Sequence, residues 1–173
     1  MEELINCRDC DISCFSLEGQ EIQAKITNVY DADTCKAVFY LADKLVKYTL
    51  RLKGIDTPEI RPRRSVEFRD QQILAAKQAR NRLIQIVTDQ EIKIEDDFGK
   101  KKIQSIIDLN RKLVKLKCHE FDKYGRLLAE IIVDVPDEEE TSKIKQKTAN
   151  QILIDESYAY IYDGGTKRIF KPK

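Results

Sequence analysis

No stretch of this chain approaches the roughly 20 consecutive apolar residues that a membrane-spanning helix requires. The start, Met1-Glu-Glu-Leu-Ile-Asn6, has neither the basic flank nor the apolar run of a secretory leader, so a soluble, intracellular protein is expected. An excess of charge of one sign is also missing: Lys plus Arg number 31 against 30 for Asp plus Glu, a formal net charge of +1. No global field would draw the protein onto a polyanion, and any phosphate binding must be local. Basic clusters occur at Arg61-Pro-Arg-Arg64, at Lys100-Lys-Lys102 and at Lys167, Arg168, Lys171 and Lys173; solvated surface charge accounts for each of them equally well. Five cysteines, an odd number, suit a reducing compartment better than a disulfide framework. Cys7, Cys10 and Cys14 lie close enough for zinc, with Cys118 or the only histidine, His119, as a fourth ligand. A second closely spaced ligand pair is missing, however, which weakens that reading.

What is present is enough for one domain with a real core: 173 residues, 42% hydrophobic, without a long low-complexity tract. Residues 1–20 show neither helical nor strand periodicity and are read as an N-terminal extension, with residues 21–173 as the domain. From Glu21 three β-rich runs follow, Ile22 to Tyr30, Thr34 to Leu41 and Leu45 to Lys53, with apolar and polar residues tending to alternate and breaks at Asp31-Ala-Asp33 and Ala42-Asp-Lys44. Ile73, Leu74, Ala76, Ala79, Leu83, Ile84 and Val87 recur at three- and four-residue spacing and predict an amphipathic helix over about 68–87. Gln90 to Glu95 has a strand pattern, and Lys101 to Asn110 fits a short helix. Leu113 to Phe121 and Arg126 to Asp134 flank a glycine-containing turn, which predicts a hairpin. Asp134 to Glu140 reads as an exposed loop, and a further helix is expected over about 142–157 with Ile144, Thr148, Ile152 and Leu153 inward. Five strands with a helix after the third predict an α+β, mainly β protein built on a small barrel with two to three helices.

Three stretches carry chemistry: Asp31-Ala-Asp-Thr34, Arg51-Leu-Lys-Gly-Ile-Asp-Thr-Pro-Glu59 and Asp122-Lys-Tyr-Gly-Arg126. Aspartates in turns commonly serve only as backbone acceptors, and Thr-Pro is an ordinary turn sequence. Together, though, these segments could offer two carboxylates and a backbone carbonyl to one hard cation, a pattern that suits calcium, while two guanidiniums match the paired oxygens of a phosphate. Those are the parts of a phosphodiesterase. Arg51 and Asp56 are an odd five residues apart, which puts their side chains on opposite faces of a strand unless Gly54 breaks it. Arg126 could equally be a hairpin residue paired with Asp122 or Glu120.

With these motifs in this order, the chain from about Ile22 to Gly165 resembles staphylococcal nuclease, the thermonuclease family of calcium-dependent enzymes with an OB-fold barrel. The resemblance implies that Asp33, Asp56 and the carbonyl of Thr57 hold Ca2+, that Glu59 orients or deprotonates the attacking water, and that Arg51 and Arg126 clamp the phosphate. It implies an endonuclease acting on DNA and/or RNA, single strands favoured, that cuts the bond to the 5′ oxygen and leaves 3′-phosphate ends. Lys123 and Tyr124 are candidate substrate contacts, Tyr124 by stacking on a base. Tyr160 and Tyr162 are candidates too, with Tyr158 beside them, although an ungapped alignment does not superpose this group cleanly on the family's tyrosine pair. A monomer needing no membrane is expected.

Ala32 stands where the family usually has glycine, so a turn needing positive φ there would cost on the order of 1 kcal/mol or change type. Residues 89–111 are longer than the family's compact connection. The alternative function is a catalytically silent OB-fold that binds nucleic acid or protein. Silent copies lose metal carboxylates or clamp arginines, whereas Asp33, Arg51, Asp56, Glu59 and Arg126 all stand here, which favours the enzyme.

Overall fold

The computed structural model describes residues 1–137 and 144–165. Strands β1 (Glu21–Val29), β2 (Thr34–Leu41) and β3 (Lys44–Leu52) form an antiparallel meander. Alternation drives it: Cys35, Ala37 and Phe39 of β2 face the core and their neighbours face outward. The β2–β3 link is a two-residue turn with Ala42 and Asp43 at φ 46° and 61°, a left-handed backbone conformation that gives the turn the right-handed twist of the paired strands. Strands β5 (Val114–Phe121) and β6 (Leu127–Pro136) make the predicted hairpin, and β5 returns beside β1. Parallel pairing of Leu50, Arg51 and Leu52 with Leu127, Leu128 and Ala129 then closes the sheet into a five-stranded barrel of the OB type. That closure sets Arg51 at the seam, beside the start of β6 and hence beside Arg126.

The barrel interior holds Ile26, Leu50, Leu52, Leu116, Leu127 and Ile131, all essentially inaccessible to solvent. Helix α2 (Arg69–Val87) covers it with Ala79, Leu83, Ile84 and Val87, most of the stripe that its sequence spacing predicts, while Leu74 from that stripe is exposed. Leu17 is fully buried in the same core, so packing begins just before β1. Between β3 and α2 lies the two-residue β4 (Ile55–Asp56), paired with β8 (Tyr160–Ile161) in the register Asp56 to Tyr160.

Among the described residues there are four α-helices, one more than the expected two to three: α1 (Glu2–Asn6) is a single turn in the N-terminal extension. Helix α3 (Lys100–Leu109) buries Ile103, Ile106 and Ile107 and docks on β1, where Gln104 Nε2 donates to the Thr27 carbonyl at 3.1 Å and accepts through Oε1 from Asn28 Nδ2 at 2.9 Å. Gln90 to Glu95 is not a strand. Its carbonyls are taken from α2 instead: Gln85 Nε2 donates to Ile92 at 2.7 Å and the fully buried Asn81 Nδ2 donates to Ile94 at 2.9 Å and Asp96 at 2.8 Å.

The expected helix over 142–157 also divides. Ile144–Thr148 is an edge strand, β7, paired with the end of β6, and only Ala149–Asp155 is helical, α4. Ile144 is exposed rather than inward, while Ile152 and Leu153 are buried. The boundary falls where Thr148 Oγ1 accepts from the Gln151 amide at 3.1 Å, a side-chain N-cap. The expected acidic loop is strand as far as Pro136; Glu138 to Glu140, Ser142 and the basic residues Lys167 to Lys173 lie outside the described residues. Among the described residues no helix is long and apolar enough to cross a membrane.

Candidate active site

The β1–β2 turn presents Asp31 and Asp33. Its backbone is held by the Leu52 amide donating to the Asp33 carbonyl at 2.8 Å, which ties the turn to the end of β3. Ala32 is buried without a left-handed φ, because the positive-φ residues other than glycine among the described residues are Ala42, Asp43, Phe68 and Ser157. Alanine is therefore unstrained there, and glycine is not needed.

After β3, Gly54 at φ 78° reverses the side-chain alternation. As a result Arg51 and Asp56 face one another despite their odd spacing. Arg51 Nη1 lies 2.9 Å from Asp33 Oδ2, and Nη2 lies 3.0 Å from Asp56 Oδ1. All three side chains are at most 11% exposed. Thr57 Oγ1 donates to the same Asp33 Oδ2 at 3.1 Å, and Thr34 Oγ1 donates to Oδ1 at 2.9 Å. The β4–β8 pairing brings the Tyr160 hydroxyl to Asp56 Oδ2 at 2.7 Å.

On the other side of the β3–β6 seam, the hairpin turn is organised by Asp122. Its Oδ1 accepts from the Tyr124 amide at 2.8 Å and the Arg126 amide at 2.9 Å, and its Oδ2 accepts from Arg126 Nε at 2.6 Å. Gly125 supplies the positive φ of 75° that the turn requires. The exposed Tyr124 ring lies 5.4 Å from the Arg126 guanidinium carbon and 5.2 Å from Lys123 Nζ.

Asp33, Arg51, Thr57, Glu59 and Arg126 line a single open groove of about 930 Å³, joined by Lys123, Tyr124 and Tyr162. Asp56 and Tyr160 sit beneath its wall and connect to it through Arg51. Several lining groups went unassigned at the level of sequence: Asp31, Lys53, Arg61, Glu120 and Asp122. Asp31 and Asp122 carried local signals, as the first residues of the Asp-x-Asp and Asp-x-x-Gly turns.

Charge in this cleft is crowded. Burial, followed by the negative charge of Asp33, pushes the Asp31 carboxyl up to about 7, with Arg51 opposing weakly. Burial likewise pushes the neighbouring Cys35 thiol up to about 12, with Asp31 and Asp33 adding to it. Burial, then the hydrogen bond and charge of Asp56, also raise the Tyr160 phenol, which therefore stays a neutral donor. Asp122 moves the opposite way: burial pushes it up, but the Arg126 amide and guanidinium and the Tyr124 amide outweigh burial and hold it below the usual carboxylate range.

Among the described residues no three His, Cys, Asp or Glu side chains form a ready metal cage. Cys7, Cys10 and Cys14 are exposed free thiols, while Cys118 is buried in β5. A hard cation nevertheless suits the donor set of the β1–β2 and β4 turns. Asp33 and Asp56 are buried carboxylates already bridged by a positive group, the Arg51 guanidinium, and the Asp31 carboxyl lies in the same cleft.

Comparison with known proteins bears on the same residues. The family model described as Staphylococcal nuclease homologue matches residues 49–171, which includes Arg51, Asp56, Thr57, Glu59 and Arg126 but begins after Asp31 and Asp33. No curated protein matches the chain. With most of its length matched and a closed five-stranded barrel carrying the matched segments, the chain belongs to the staphylococcal nuclease family.

Proposed function

We propose that the protein is a calcium-dependent nuclease that hydrolyses phosphodiester bonds of DNA and/or RNA. The observation that carries this reading is the place of Arg51, laid across Asp33 and Asp56 in the groove that Glu59 and Arg126 also line. Asp33, Asp56 and the Thr57 carbonyl would hold the cation, which when bound supplies positive charge at a phosphoryl oxygen and favours ionisation of a water. Glu59, exposed in the groove, takes the proton as that water adds to phosphorus. The P–O5′ bond breaks, the 5′ oxygen takes up a proton, and a 3′-phosphate remains.

Arg126 enters this step already oriented. Asp122 holds its Nε, leaving its two Nη groups to meet two phosphate oxygens. Arg51 is the partner clamp, and it reaches the phosphate by exchanging a carboxylate contact for it. Both arginines meet charge that grows on the equatorial oxygens during attack, so they stabilise the transition state more than the ground state. Tyr124, exposed at the rim beside Lys123, offers a face for a base, which favours single strands whose bases are free to stack. Residues 21–173 are read as the nuclease domain of an intracellular monomer.

The test is degradation of single-stranded DNA and of RNA by the purified protein with calcium, with magnesium and with chelator. Cleavage with calcium that exceeds cleavage with magnesium and stops in chelator is expected, because an irregular carboxylate and carbonyl site accommodates the larger ion's variable shell. Binding without cleavage under every divalent cation would instead support the silent OB-fold module.

A further inference from the structure

Lys53 lines the same groove and is unused by the reaction above. Its backbone is fixed on both sides: its amide donates to the Ala129 carbonyl at 2.9 Å, and its carbonyl accepts from the buried Asn150 Nδ2 at 2.8 Å. Its ammonium reaches His119 Nδ1 at 3.0 Å, and His119 Nε2 reaches Glu130 Oε1 at 2.9 Å. An ammonium can only donate, so Nδ1 is the acceptor, the ring is the neutral tautomer, and Nε2–H donates to Glu130.

This arrangement has a consequence for charge. Glu130 is balanced by Lys117 Nζ at 3.2 Å, and the group that orients Lys53 carries no charge. Among the described residues the carboxylate that pairs with Lys53 is that of Glu120, 3.7 Å away and about half exposed. A lysine held by a neutral imidazole keeps its positive charge for an anion, whereas one held in a tight buried ion pair does not.

The spacing is also informative. Lys53 follows Arg51 by two residues, one position past the end of β3 at Leu52, and both side chains line the groove; two residues of extended backbone span about 6.5 Å, close to one nucleotide of an extended single strand. We propose that Lys53 is a second phosphate contact, taking the backbone phosphate adjacent to the one clamped by Arg51 and Arg126, with His119 and Glu130 as its positioning residues. The ligand class is then a strand with at least two successive phosphodiesters. This inference rests on the nucleic-acid reading of the groove, and its test separates the two.

Binding of a fluorescent oligothymidine is measured by anisotropy in chelator across a range of salt. Because the Lys53 side chain is 40% exposed, Lys53→Met leaves the core intact. That variant weakens binding about 5-fold near physiological salt and lowers the slope of log K against log salt by about 0.7, the share of one phosphate on a single strand. Lys53→Arg restores both. His119→Leu weakens binding by a smaller factor and keeps the slope, because the charge remains while its position is lost. In cleavage with calcium, the Lys53→Met loss in kcat/KM lies in KM and is larger on a trinucleotide, which has two phosphates, than on a dinucleotide, which has one.

Wild-type binding with an unaltered salt slope in Lys53→Met would overturn the second contact alone. Wild-type binding without cleavage would count against the nuclease and leave the slope to decide on Lys53. A wild-type protein that binds no oligothymidine would overturn both.

Discussion

Removing the guanidinium of Arg51 is the sharpest structural perturbation available at this site. Arg51→Gln preserves much of the side chain's length but takes away the guanidinium whose nitrogens lie 2.9 and 3.0 Å from Asp33 and Asp56. At an effective dielectric of about 20, each attraction at roughly 4 Å between charge centres is worth about 4 kcal/mol. The net loss is smaller than the sum, because the guanidinium's own desolvation cost disappears with it. Breaking a buried pair by deleting one partner typically costs about 3–5 kcal/mol, and that is the expected fall in unfolding free energy at neutral pH. Urea unfolding followed by circular dichroism measures it. The same experiment in calcium should stabilise Arg51→Gln more than the wild type, since an ion between the two carboxylates no longer competes with a resident guanidinium. A loss below about 1 kcal/mol, or equal stabilisation of both proteins by calcium, would refute the picture of two buried carboxylates that require a positive group between them.

Further outcomes follow from the same geometry. Glu59→Gln and Arg126→Ala should each lower turnover on single-stranded DNA by at least about 100-fold, the usual scale for a proton acceptor or a charge-stabilising donor, with an unaltered circular dichroism spectrum. Near wild-type turnover in either variant would show the assigned roles to be wrong. Asp122→Asn should cost about 1–2 kcal/mol of stability at pH 7 through loss of the charged contact to Arg126 Nε. Because Asp122 is held below its ordinary value of 3.8, its contribution is present above that pH and is lost as the pH falls through the lower folded value. The gap between variant and wild type should therefore close under acid, and a gap that widens there would contradict the assignment.

Much of the barrel was legible because its strands carry their burial pattern locally. Phe39 and its alternate neighbours in β2, and Ala79, Leu83 and Ile84 in α2, declare a buried face at periods of two and 3.6 residues. Elements at the rim did not. Among the described residues the edge strand β7 pairs with β6 alone and exposes Ile144, so Ile144 and Thr148 could be mistaken for the first turn of the helix that begins at Ala149. Gln90 to Glu95 resembles a strand, but its carbonyls are taken by side chains of Asn81 and Gln85 rather than by a neighbouring backbone, a choice that alternation cannot report.

The site divides in the same way. Asp33, Arg51 and Asp56 could be selected from short motifs, because Gly54 marks the break that lets them converge. The contact of Tyr160 with Asp56 spans 104 positions and depends on the β4–β8 pairing, for which two residues of pattern give no signal. The Lys53–His119–Glu130 chain joins the turn after β3 to β5 and β6 across the closed seam, so it exists only once the barrel is assembled.

Arg51 must serve two masters, the carboxylates of Asp33 and Asp56 and the phosphate of a substrate. A crystal structure with calcium and a nucleotide bisphosphate tests that most directly. The ion is expected against Asp33 and Asp56, with the guanidiniums of Arg51 and Arg126 turned onto one phosphate within reach of Glu59. An ion bound elsewhere, or Arg51 still bridging both aspartates while the phosphate lies outside the groove, would contradict the account.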